Sequence, residues 1–408
     1  MKSVEEQFEY LTKGCVDIIQ EEELKAKISR SIKENKPLRV KTGFDPTAPD
    51  IHVGHTVLIR KMKHFQDMGH DVIFLIGDFT GLIGDPSGRS VTRPPMTREQ
   101  IKKNAETYKT QIFKILNREK TIIDFNSRWL GKLTSFDIVN LMAKYTVARI
   151  LERDDFSNRF KNGQPISSHE LLYPLMQAYD SVALEGDVEL GGTDQKFNLL
   201  VGRDIQREYD QDPQVVMTMP LLEGLDGVEK MSKSLNNYIG ITEPPKEIFG
   251  KIMSISDPLM FRYFELLTDI SSLQVKQWKQ DIQKGTIHPK DLKIQLAKQI
   301  VSDFWSEDDA QKAALEFDRI FKQKEQPKDM EEIRIKVSEV PLIDLIIEQN
   351  ILPSRGEAKR LIRQGGLYLD GQRVEDIGHI LQISSNEEIT LKVGKRKYFR
   401  LTAEKKIK

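Results

Sequence analysis

The alternation of apolar and polar positions near the start of the chain predicts a strand, a helix and a second strand in succession. Residues 38–42 fit a short strand, and a helix follows whose apolar side carries Val57 and Met62 and which stops at Gly69. A continuous apolar run at residues 71–77 then has the composition of a strand buried on both faces of a parallel sheet. Strand, helix and strand in this order form a βαβ unit, whose crossover is right-handed by default.

The rest of the N-terminal three quarters alternates between helical segments and short strands. Residues 1–36 and 97–170 are predicted to be mainly helical, and strands are expected at residues 188–190 and 215–217. Residues 244–322 are again helical in pattern. The sequence therefore predicts an α/β fold with a Rossmann-like doubly wound parallel sheet, followed by an α-helical domain.

The C-terminal part of the chain has a different pattern. A polar and charged linker leads into a compact module, in which a capping box from Ser354 to Glu357 opens a short helix and two hairpins follow. This combination predicts a small α+β domain. We therefore divide the chain into four segments (catalytic domain, helical domain, linker and C-terminal module), at residues 1–222, 223–322, 323–340 and 341–408.

The composition is that of a globular protein, and it excludes several kinds of site and several classes of protein. The 408 residues carry 62 basic and 62 acidic side chains, so no overall positive field attracts nucleic acid. Only the C-terminal module has an excess of positive charge, with 13 Lys and Arg against 9 Asp and Glu in residues 341–408. A single cysteine, Cys15, excludes an intrachain disulfide and a multi-cysteine metal site. Because the N-terminus has no signal-peptide core and no apolar run is long enough to span a membrane, we expect a cytoplasmic protein.

The turn between the first predicted strand and helix, residues 43–55, reads G-F-D-P-T-A-P-D-I-H-V-G-H. A helix start offers unpaired N–H groups and the positive end of the helix dipole, which together form an anion site. His52 and His55 stand at this start and can stabilise phosphate oxygens whose charge grows in a transition state. Gly54 between them lets a ligand approach the backbone. An ordinary turn with histidines near a helix end is the alternative interpretation.

A second charged loop, with the sequence K-M-S-K-S at residues 230–234, follows the last predicted strand. Its two lysines can clamp a triphosphate as mobile point charges, although such a loop on its own is usually solvated. The glycine-rich residues 78–89 are expected in the same crevice, beyond the carboxyl end of a strand. They lack the Gly-Lys-Ser/Thr ending of a Walker-type phosphate loop, so that kind of site is disfavoured.

A predicted helix places three polar side chains on one face. Tyr173, Gln177 and Asp180 fall at i, i+4 and i+7, which favours a polar pocket over packing; a solvated face is the alternative. Residues 191–195, G-G-T-D-Q, form a further strand-to-helix turn with polar residues at the helix start.

Seven cations cluster in the C-terminal module, four on its short helix and three at a hairpin turn. They are Arg355, Lys359, Arg360, Arg363, Lys395, Arg396 and Lys397. Such a surface fits a phosphate backbone, and a solvated face is again the alternative.

In this order, the H-V-G-H turn and the K-M-S-K-S loop resemble the two signature motifs of class I aminoacyl-tRNA synthetases. The segments G-L-I-G-D-P-S-G-R, Y-P-L-M-Q-A-Y-D and G-G-T-D-Q extend the resemblance to the bacterial tyrosyl-tRNA synthetase family over essentially the whole chain. The K-M-S-K-S form is similar to one subgroup of that family. The C-terminal module resembles the S-four RNA-binding domain.

The resemblance implies an ATP-dependent ligase that converts L-tyrosine to tyrosyl-adenylate, releases pyrophosphate and transfers the tyrosyl group to the 3′ end of tRNA(Tyr). ATP is expected to enter with Mg²⁺, with no tightly bound cofactor and no metal site of the protein itself. The resemblance also implies a homodimer through residues near 120–170. It further implies that the helical domain binds the anticodon.

The resemblance assigns roles to individual residues as well. Those assigned to catalysis are Thr47, His52, His55, Lys230 and Lys233. Those assigned to ATP are Gly43, Asp45, His52, Gly54, His55, Asp194, Met231, Ser232, Lys233 and Ser234. Those assigned to tyrosine are Lys41, Thr80, Asp85, Tyr173, Gln177, Asp180 and Gln195. Arg89 and Arg93 are expected to reach phosphates, and the seven C-terminal cations are expected to bind tRNA.

Lys41 departs from the family pattern. Many members have Tyr at this position, where its hydroxyl also bonds the substrate phenol. A lysine has three donors and no acceptor, so we expect Lys41 to pair with Asp180 in the empty site or to reach an ordered water. Asp180 is then the residue that reads the phenol and rejects phenylalanine, because a buried carboxylate without its partner is costly.

Three alternatives stay open at this point. A tryptophanyl-tRNA synthetase-like enzyme shares both signature motifs, but Asp180 and the C-terminal module argue against it. A small-molecule nucleotidyltransferase also uses H-x-G-H, but it does not need an RNA module. A non-catalytic RNA-binding relative has no reason to retain the full set of His, Lys and Asp residues.

Overall fold

The computed structural model describes residues 2–87, 96–233, 235–322, 330–335, 339–384, 387–394 and 397–403. The chain forms two compact units, Met1–Gln311 and Lys312–Lys408. The predicted catalytic domain, and the predicted helical domain up to residue 311, thus fall within the first unit. No helix within the described ranges has both the length and the apolar character needed to cross a membrane.

A six-stranded sheet forms the centre of the first unit. Its strands are β1 Asp17–Ile19, β2 Arg39–Phe44, β3 Asp71–Ile76, β4 Thr121–Phe125, β5 Val188–Gly192 and β6 Val215–Met219. They lie in the order β1-β6-β5-β2-β3-β4, and all pairs are parallel except the edge pair of β1 with β6. The predicted doubly wound parallel sheet is confirmed.

The sequence pattern missed two strands of this sheet. β1 has only three residues and lies in a charged segment that was predicted to be helical. β4 lies at the other edge and is half-buried, so it has no continuous apolar run. Both errors concern edge strands, where one face or one side of the strand is open to solvent.

Helices surround the sheet, and the last of them extends past the end of the first unit at Gln311. They are α1 Val4–Thr12, α2 Glu21–Glu34, α3 Val53–Asp67, α4 Thr80–Ile83, α5 Arg98–Gln111, α6 Ser127–Leu130, α7 Ser135–Ala143, α8 Val147–Ile150, α9 Asp154–Lys161, α10 Tyr173–Leu184, α11 Lys196–Glu208, α12 Pro245–Ser254, α13 Asp257–Leu267, α14 Ser272–Gln283, α15 Pro289–Phe304 and α16 Glu307–Lys322. The predicted helical character of residues 244–322 is confirmed by the last five.

The strand order determines where a ligand can enter. β2 lies between β3 and β5 in the sheet. The chain passes from β2 through α3 directly to β3, and it forms β5 only much later in the sequence. In an open α/β sheet, ligands bind outside the carboxyl ends of the strands at such a switch point. The turns that follow β2 and β5 therefore face one crevice.

The second unit is a small α+β domain. Its elements are β7 Glu331–Ile335, β8 Glu339–Pro341, α17 Leu342–Glu348, α18 Arg355–Arg363, β9 Leu367–Leu369, β10 Gln372–Arg373, β11 Ile380–Gln382, β12 Glu388–Val393 and β13 Lys397–Ala403. The larger sheet has the order β10-β9-β12-β13-β7, and β8 pairs with β11. Apolar side chains from this sheet and both helices form one core.

The predicted linker is wrong for part of its length. β7, inside the segment predicted as linker, pairs in parallel with β13 and buries Ile333 and Ile335 in the core of the second unit. Its alternation of charged and apolar residues is short, and its partner strand is about 70 residues later, so the local pattern alone could not reveal the pairing.

Candidate active site

A crevice of about 690 Å³ opens at the carboxyl ends of β2 and β5 and brings together most of the predicted site residues. Those that line it are Gly43, Asp45, Thr47, His52, Gly54, His55, Thr80, Asp85, Tyr173, Gln177, Asp180, Asp194, Gln195, Lys230, Met231, Ser232 and Lys233. They come from segments far apart in the sequence. A set of polar groups converging on one crevice is the usual form of an active site.

At the start of α3, the buried His52 and the half-buried His55 lie ring against ring, with their planes tilted by 32°. Their ring centroids lie 3.7 Å apart, and the backbone N–H of His52 donates to Nδ1 of His55 at 3.2 Å. Burial, assisted by the charge of Lys233, lowers the pKa of His52 to about 2 and that of His55 to about 4. Both imidazoles are therefore neutral at physiological pH, and they can offer N–H groups without carrying charge.

His52 keeps one ring nitrogen unused. Among the described residues, none forms a hydrogen bond with Nδ1 of His52, although this atom is buried. Buried polar atoms without a partner are rare and point to a ligand or to water. The unused nitrogen supports a binding role for His52.

The K-M-S-K-S loop docks against the start of α3. The Sδ atom of Met231 lies 3.2 Å from the backbone nitrogen of Gly54. A Cβ atom at Gly54 would approach the His52 ring to 3.0 Å and the Met231 Cβ to 3.3 Å. Glycine is thus needed here for the close packing of the loop and the histidine, whereas the sequence suggested close approach of a ligand.

Each lysine of this loop forms an ion pair with a carboxylate at the mouth of the crevice. The Nζ atom of Lys230 lies 3.1 Å from Asp194, and that of Lys233 lies 2.9 Å from Asp50. Asp50 was not among the predicted site residues. Both pairs are partly exposed to solvent, so a phosphate ligand can compete for the lysines.

Asp180 lies at the other end of the crevice and is buried. Its carboxylate accepts hydrogen bonds from Nε1 of Trp129 at 2.7 Å and from Nδ2 of Asn126 at 3.2 Å. Burial raises the pKa of Asp180 to about 7, against the opposing effects of Lys41 and the two donors. Trp129 and Asn126 were missed because they follow β4, which the sequence pattern did not reveal.

Lys41 does not reach Asp180, which was one of its two predicted partners, and it does not line the crevice. Its side chain is 1 % exposed, and its Nζ atom lies 2.5 Å from Oε1 of Glu189, which is 2 % exposed. Glu189 also accepts hydrogen bonds from Ser181 and Gln214. The pairing was missed because the sequence pattern predicted the strand that contains Glu189 but not its position beside β2 in the sheet.

Between the two ends, several predicted residues bond to one another. The hydroxyl of Tyr173 donates to Asp45 at 3.0 Å. Asp85 accepts from Nε2 of Gln195 at 2.8 Å and from Arg153 at 3.2 Å. The buried Oε1 atom of Gln177, by contrast, finds no hydrogen-bond partner among the described residues.

Arg153 is a further residue that sequence reasoning missed. It is buried and also contacts Asp155 and Asn198, at 2.8 and 2.9 Å. Its charge offsets that of Asp85, which was predicted to hold an ammonium group. No local motif surrounds Arg153, so only the fold reveals the contact.

The predicted RNA-binding cations lie in the second unit. Arg355, Lys359, Arg360 and Arg363 are exposed on α18. Lys397 opens β13 and donates to the carbonyl of Ile351 at 3.4 Å. The remaining predicted residues lie outside the described residues, and these are Arg89, Arg93, Ser234, Lys395 and Arg396. Across the described ranges, no group of three or more His, Cys, Asp or Glu side chains could hold a metal ion.

Two family models match consecutive parts of the chain. The model described as tRNA synthetases class I (W and Y) matches residues 33–322. The model described as the tyrosine–tRNA ligase SYY-like C-terminal domain matches residues 321–401. Together they cover nearly the whole sequence.

Curated relatives match over almost their full length. The tyrosine–tRNA ligase of Syntrophotalea carbinolica is 54 % identical over 404 residues, covering 98 % of each chain. That of Nitratidesulfovibrio vulgaris is 53 % identical over 403 residues, covering 98 % of this chain and 100 % of its own.

Solved structures share the fold at lower sequence identity. The tyrosyl-tRNA synthetase of Archaeoglobus fulgidus, solved with L-tyrosine, is 24 % identical with a TM-score of 0.63, covering 76 % of this chain and 99 % of its own. A truncated mitochondrial tyrosyl-tRNA synthetase of Coccidioides posadasii is 21 % identical with a TM-score of 0.62, covering 77 % and 92 %. At this level of identity the similarity establishes the fold alone.

Proposed function

The chain belongs to the class I tyrosine–tRNA ligases, and from this premise we propose how its crevice activates tyrosine. Tyrosine lies with its phenol at Asp180, and ATP lies between the start of α3 and the K-M-S-K-S loop. A carboxylate oxygen of tyrosine attacks the α-phosphorus of ATP, and the bond to pyrophosphate breaks. The observation that carries the proposal is that one crevice brings both signature motifs together with a buried carboxylate at its far end.

At the phosphate end, neutral hydrogen-bond donors and mobile cations both bind the phosphates of ATP. His52 and His55 offer N–H groups to phosphate oxygens, and Thr47 lines the same wall. Lys230 and Lys233 exchange their carboxylate partners for the phosphates of ATP, which enters as its Mg²⁺ complex. These groups accelerate the reaction because they bind the charge of the transition state more strongly than that of the ground state.

At the tyrosine end, Asp180 accepts the phenolic hydrogen. Oε1 of Gln177 and the hydroxyl oxygen of Tyr173 are available to accept from the α-ammonium group. Asp85 contributes negative charge, reduced by Arg153. Phenylalanine is rejected because it leaves the buried Asp180 carboxylate without a hydrogen-bond partner.

We further propose that the second unit binds tRNA through two surfaces. One is the set of exposed cations on α18. The other is the solvent face of the larger sheet, where cationic and aromatic side chains alternate directly opposite one another across four strands. This row consists of Arg373, Tyr368, Lys392 and Tyr398.

The geometry of the row suits nucleic acid. The Nζ atom of Lys392 lies 5.4 Å from the ring centroid of Tyr368 and 5.3 Å from that of Tyr398. Unpaired bases stack on aromatic rings while nearby cations contact the phosphates.

Because the reaction consumes tRNA and ATP, we propose that it takes place in the cytoplasm.

A homodimer is proposed from an exposed apolar patch on the insertion between β4 and β5. Its large side chains are Phe136, Val139, Met142, Val147 and Phe160, and Phe136 is 81 % exposed. Apolar side chains concentrated in this way mark an interaction surface. The patch lies in the segment near residues 120–170 that the resemblance associates with dimerisation.

Amino-acid-dependent exchange of pyrophosphate into ATP tests the assignment of the pocket. We expect exchange with tyrosine, none above background with tryptophan, and a much lower kcat/KM with phenylalanine. Asp180→Ala lowers the tyrosine-over-phenylalanine ratio of kcat/KM by about 10- to 100-fold, the value of a hydrogen bond to a charged group. Asp204→Asn serves as a control, because Asp204 is a partly exposed carboxylate outside the crevice wall. A ratio that survives in Asp180→Ala excludes Asp180 as the residue that reads the phenol.

A further inference from the structure

Lys41 and Glu189 form a buried ion pair directly behind the phenol end of the crevice. They are paired residues on the adjacent strands β2 and β5, so the backbone register holds the two side chains side by side. The Nζ–Oε1 distance is 2.5 Å, and both side chains are almost completely buried. A buried pair of this kind is costly to break, because removing one partner leaves the other charge uncompensated.

Only one member of the pair faces the site. Glu189 lines the crevice together with Asp180, while Lys41 lies behind it. Ser181, the neighbour of Asp180 on α10, donates to Glu189 at 3.2 Å, and Gln214 donates to the same oxygen of Glu189. The pair is thus connected to Asp180 through its adjacent residue.

We propose that Lys41 and Glu189 act as a coupled positioning pair that sets the charge state of Asp180 and thereby the strength with which the pocket binds the tyrosine hydroxyl. The proposal rests on the function of Asp180 proposed above. It assigns a role in specificity to two residues that do not contact the phenol themselves.

The charges that act on Asp180 oppose each other. Lys41 on β2 favours the ionised carboxylate, and Glu189 on β5 disfavours it, while the neutral donors Asn126 and Trp129 favour ionisation from the segment after β4. Burial outweighs these effects and raises the pKa of Asp180 to about 7. Asp180 is therefore poised where a change in either partner alters its ionised fraction at neutral pH.

Glu189 also prevents a competing interaction. A lysine without Glu189 would turn its ammonium group towards the next available carboxylate, which is Asp180. That contact would occupy the oxygen that the substrate phenol needs. By holding Lys41 at 2.5 Å, Glu189 keeps the cation close enough to act through space and too far back to replace the substrate.

The test compares Lys41→Met, Glu189→Gln and the double variant by tyrosine-dependent exchange at pH values from 5.5 to 9, at about one assay per half unit. The pH dependence of kcat/KM reports the pKa of the free enzyme. The acid limb is the part of the pH profile in which kcat/KM falls as Asp180 becomes protonated. We expect the acid limb of Lys41→Met to move to higher pH and that of Glu189→Gln to move to lower pH. A shift of one unit changes kcat/KM about tenfold on the acidic side of the limb.

The double variant is expected to restore an acid limb close to that of the wild type and a kcat/KM higher than that of Lys41→Met. Opposite shifts that cancel show that both charges act on the same carboxylate. Coupling between Lys41 and Glu189 themselves is shown by stability, because each single variant leaves one buried charge unpaired and the double variant leaves none, so the double variant should lose less than the sum of the two single losses. If Lys41→Met does not fold, the acid limbs of Glu189→Gln and of the double variant are compared with that of the wild type instead. Thermal melting of each variant reports folding separately from activity.

Glu170→Gln is the matched control, because Glu170 and Arg159 form another buried ion pair with side chains 3 % and 1 % exposed, outside the crevice wall. It lowers the melting temperature without moving the acid limb. Limbs that stay in place in both single variants, or that move in the same direction, overturn the proposal. Failure of the Asp180 assignment is recognised separately, by retained selectivity in Asp180→Ala.

Discussion

His52 and His55 differ from the usual histidines of active sites, because burial holds both imidazoles in the neutral form. With pKa values of about 2 and 4, neither residue gains a proton between pH 6 and 8. They therefore do not act as general acids, which must be reprotonated in each catalytic cycle. In the mechanism proposed above, they contribute N–H groups beside the start of α3 that stabilise the charge developing on the phosphates.

Replacement of these groups separates binding from chemistry. We expect His52→Ala and Lys233→Ala to slow adenylate formation by about 100-fold or more, as for lost transition-state donors, with little change in the dissociation constant of tyrosine. Pre-steady-state measurement of adenylate formation gives both quantities. A loss of tyrosine affinity as large as the loss of rate would refute the assigned roles.

The motifs allowed the sequence to identify most of the residues that line the crevice, but not the residues that hold those side chains in place. The spacing within α10 was enough to place Tyr173, Gln177 and Asp180 on one wall. Trp129, Arg153 and Glu189 come from separate elements, and only the strand order brings them to Asp180 and Asp85. Without that order, Lys41 was assigned the wrong partner.

At the scale of elements, the K-M-S-K-S loop packs against the start of α3. Two lysine–carboxylate pairs and the contact of Met231 with Gly54 form this docking. Partly exposed ion pairs contribute only about 0–1 kcal/mol each. The loop is thus attached weakly enough for phosphates to displace its carboxylate partners.

Removal of one carboxylate makes its lysine more available to ATP. We expect Asp50→Asn to lower the KM for ATP up to about fivefold, corresponding to the loss of an exposed ion pair, and to leave the KM for tyrosine unchanged. Exchange assays at varied ATP concentration measure this, with Asp204→Asn as the control, since Asp204 is a partly exposed carboxylate outside the crevice wall. An increase in the KM for ATP would mean that Asp50 assists the nucleotide instead of competing with it.

The elements that the sequence predicted best are those with a strong local signal. β3 is a continuous apolar strand, and α3 ends before Gly69, whose φ of +90° suits glycine. The edge strands β1 and β4 and the parallel strand β7 have no such signal. Their positions depend on partners that are distant in the sequence, which a local pattern cannot describe.

At the scale of the whole molecule, the two compact units divide the proposed work. The crevice is built within the first unit, and the proposed tRNA-binding surfaces belong to the second. Tyrosine activation needs no tRNA. The first step of the reaction should therefore be separable from the second by cutting the chain.

Truncation after Gln326 tests this division, because the cut follows α16. We expect tyrosine-dependent exchange within about twofold of the full chain, and charging of tRNA(Tyr) to fall by about 100-fold or more as the phosphate and base contacts are lost. Filter-binding assays of charged tRNA provide the measurement. Full charging by the truncated protein would contradict the RNA-binding role of the second unit.

The proposed dimer gives a second prediction at this scale. Phe136→Glu and Val139→Glu place charges in the apolar patch, and we expect them to shift the protein from dimer to monomer in sedimentation experiments. Leu273→Glu is the matched control, since Leu273 is 77 % exposed but lies on α14, outside the patch. Variants that sediment like the wild type would place the interface elsewhere.

The buried carboxylates at the phenol end also bear on damaged amino acids. A nitrated tyrosine has an acidic phenol that loses its proton near neutral pH, and a phenolate would face Asp180 and Glu189 as a like charge. The pocket should therefore keep oxidatively modified tyrosine out of newly made proteins without a hydrolytic editing step. Fluorinated tyrosines, whose phenols become more acidic with each fluorine while the ring changes little in size, isolate this effect. We expect kcat/KM for each analogue to fall as the pH passes the pKa of its phenol; equal use of phenol and phenolate forms would show that the pocket does not discriminate by charge.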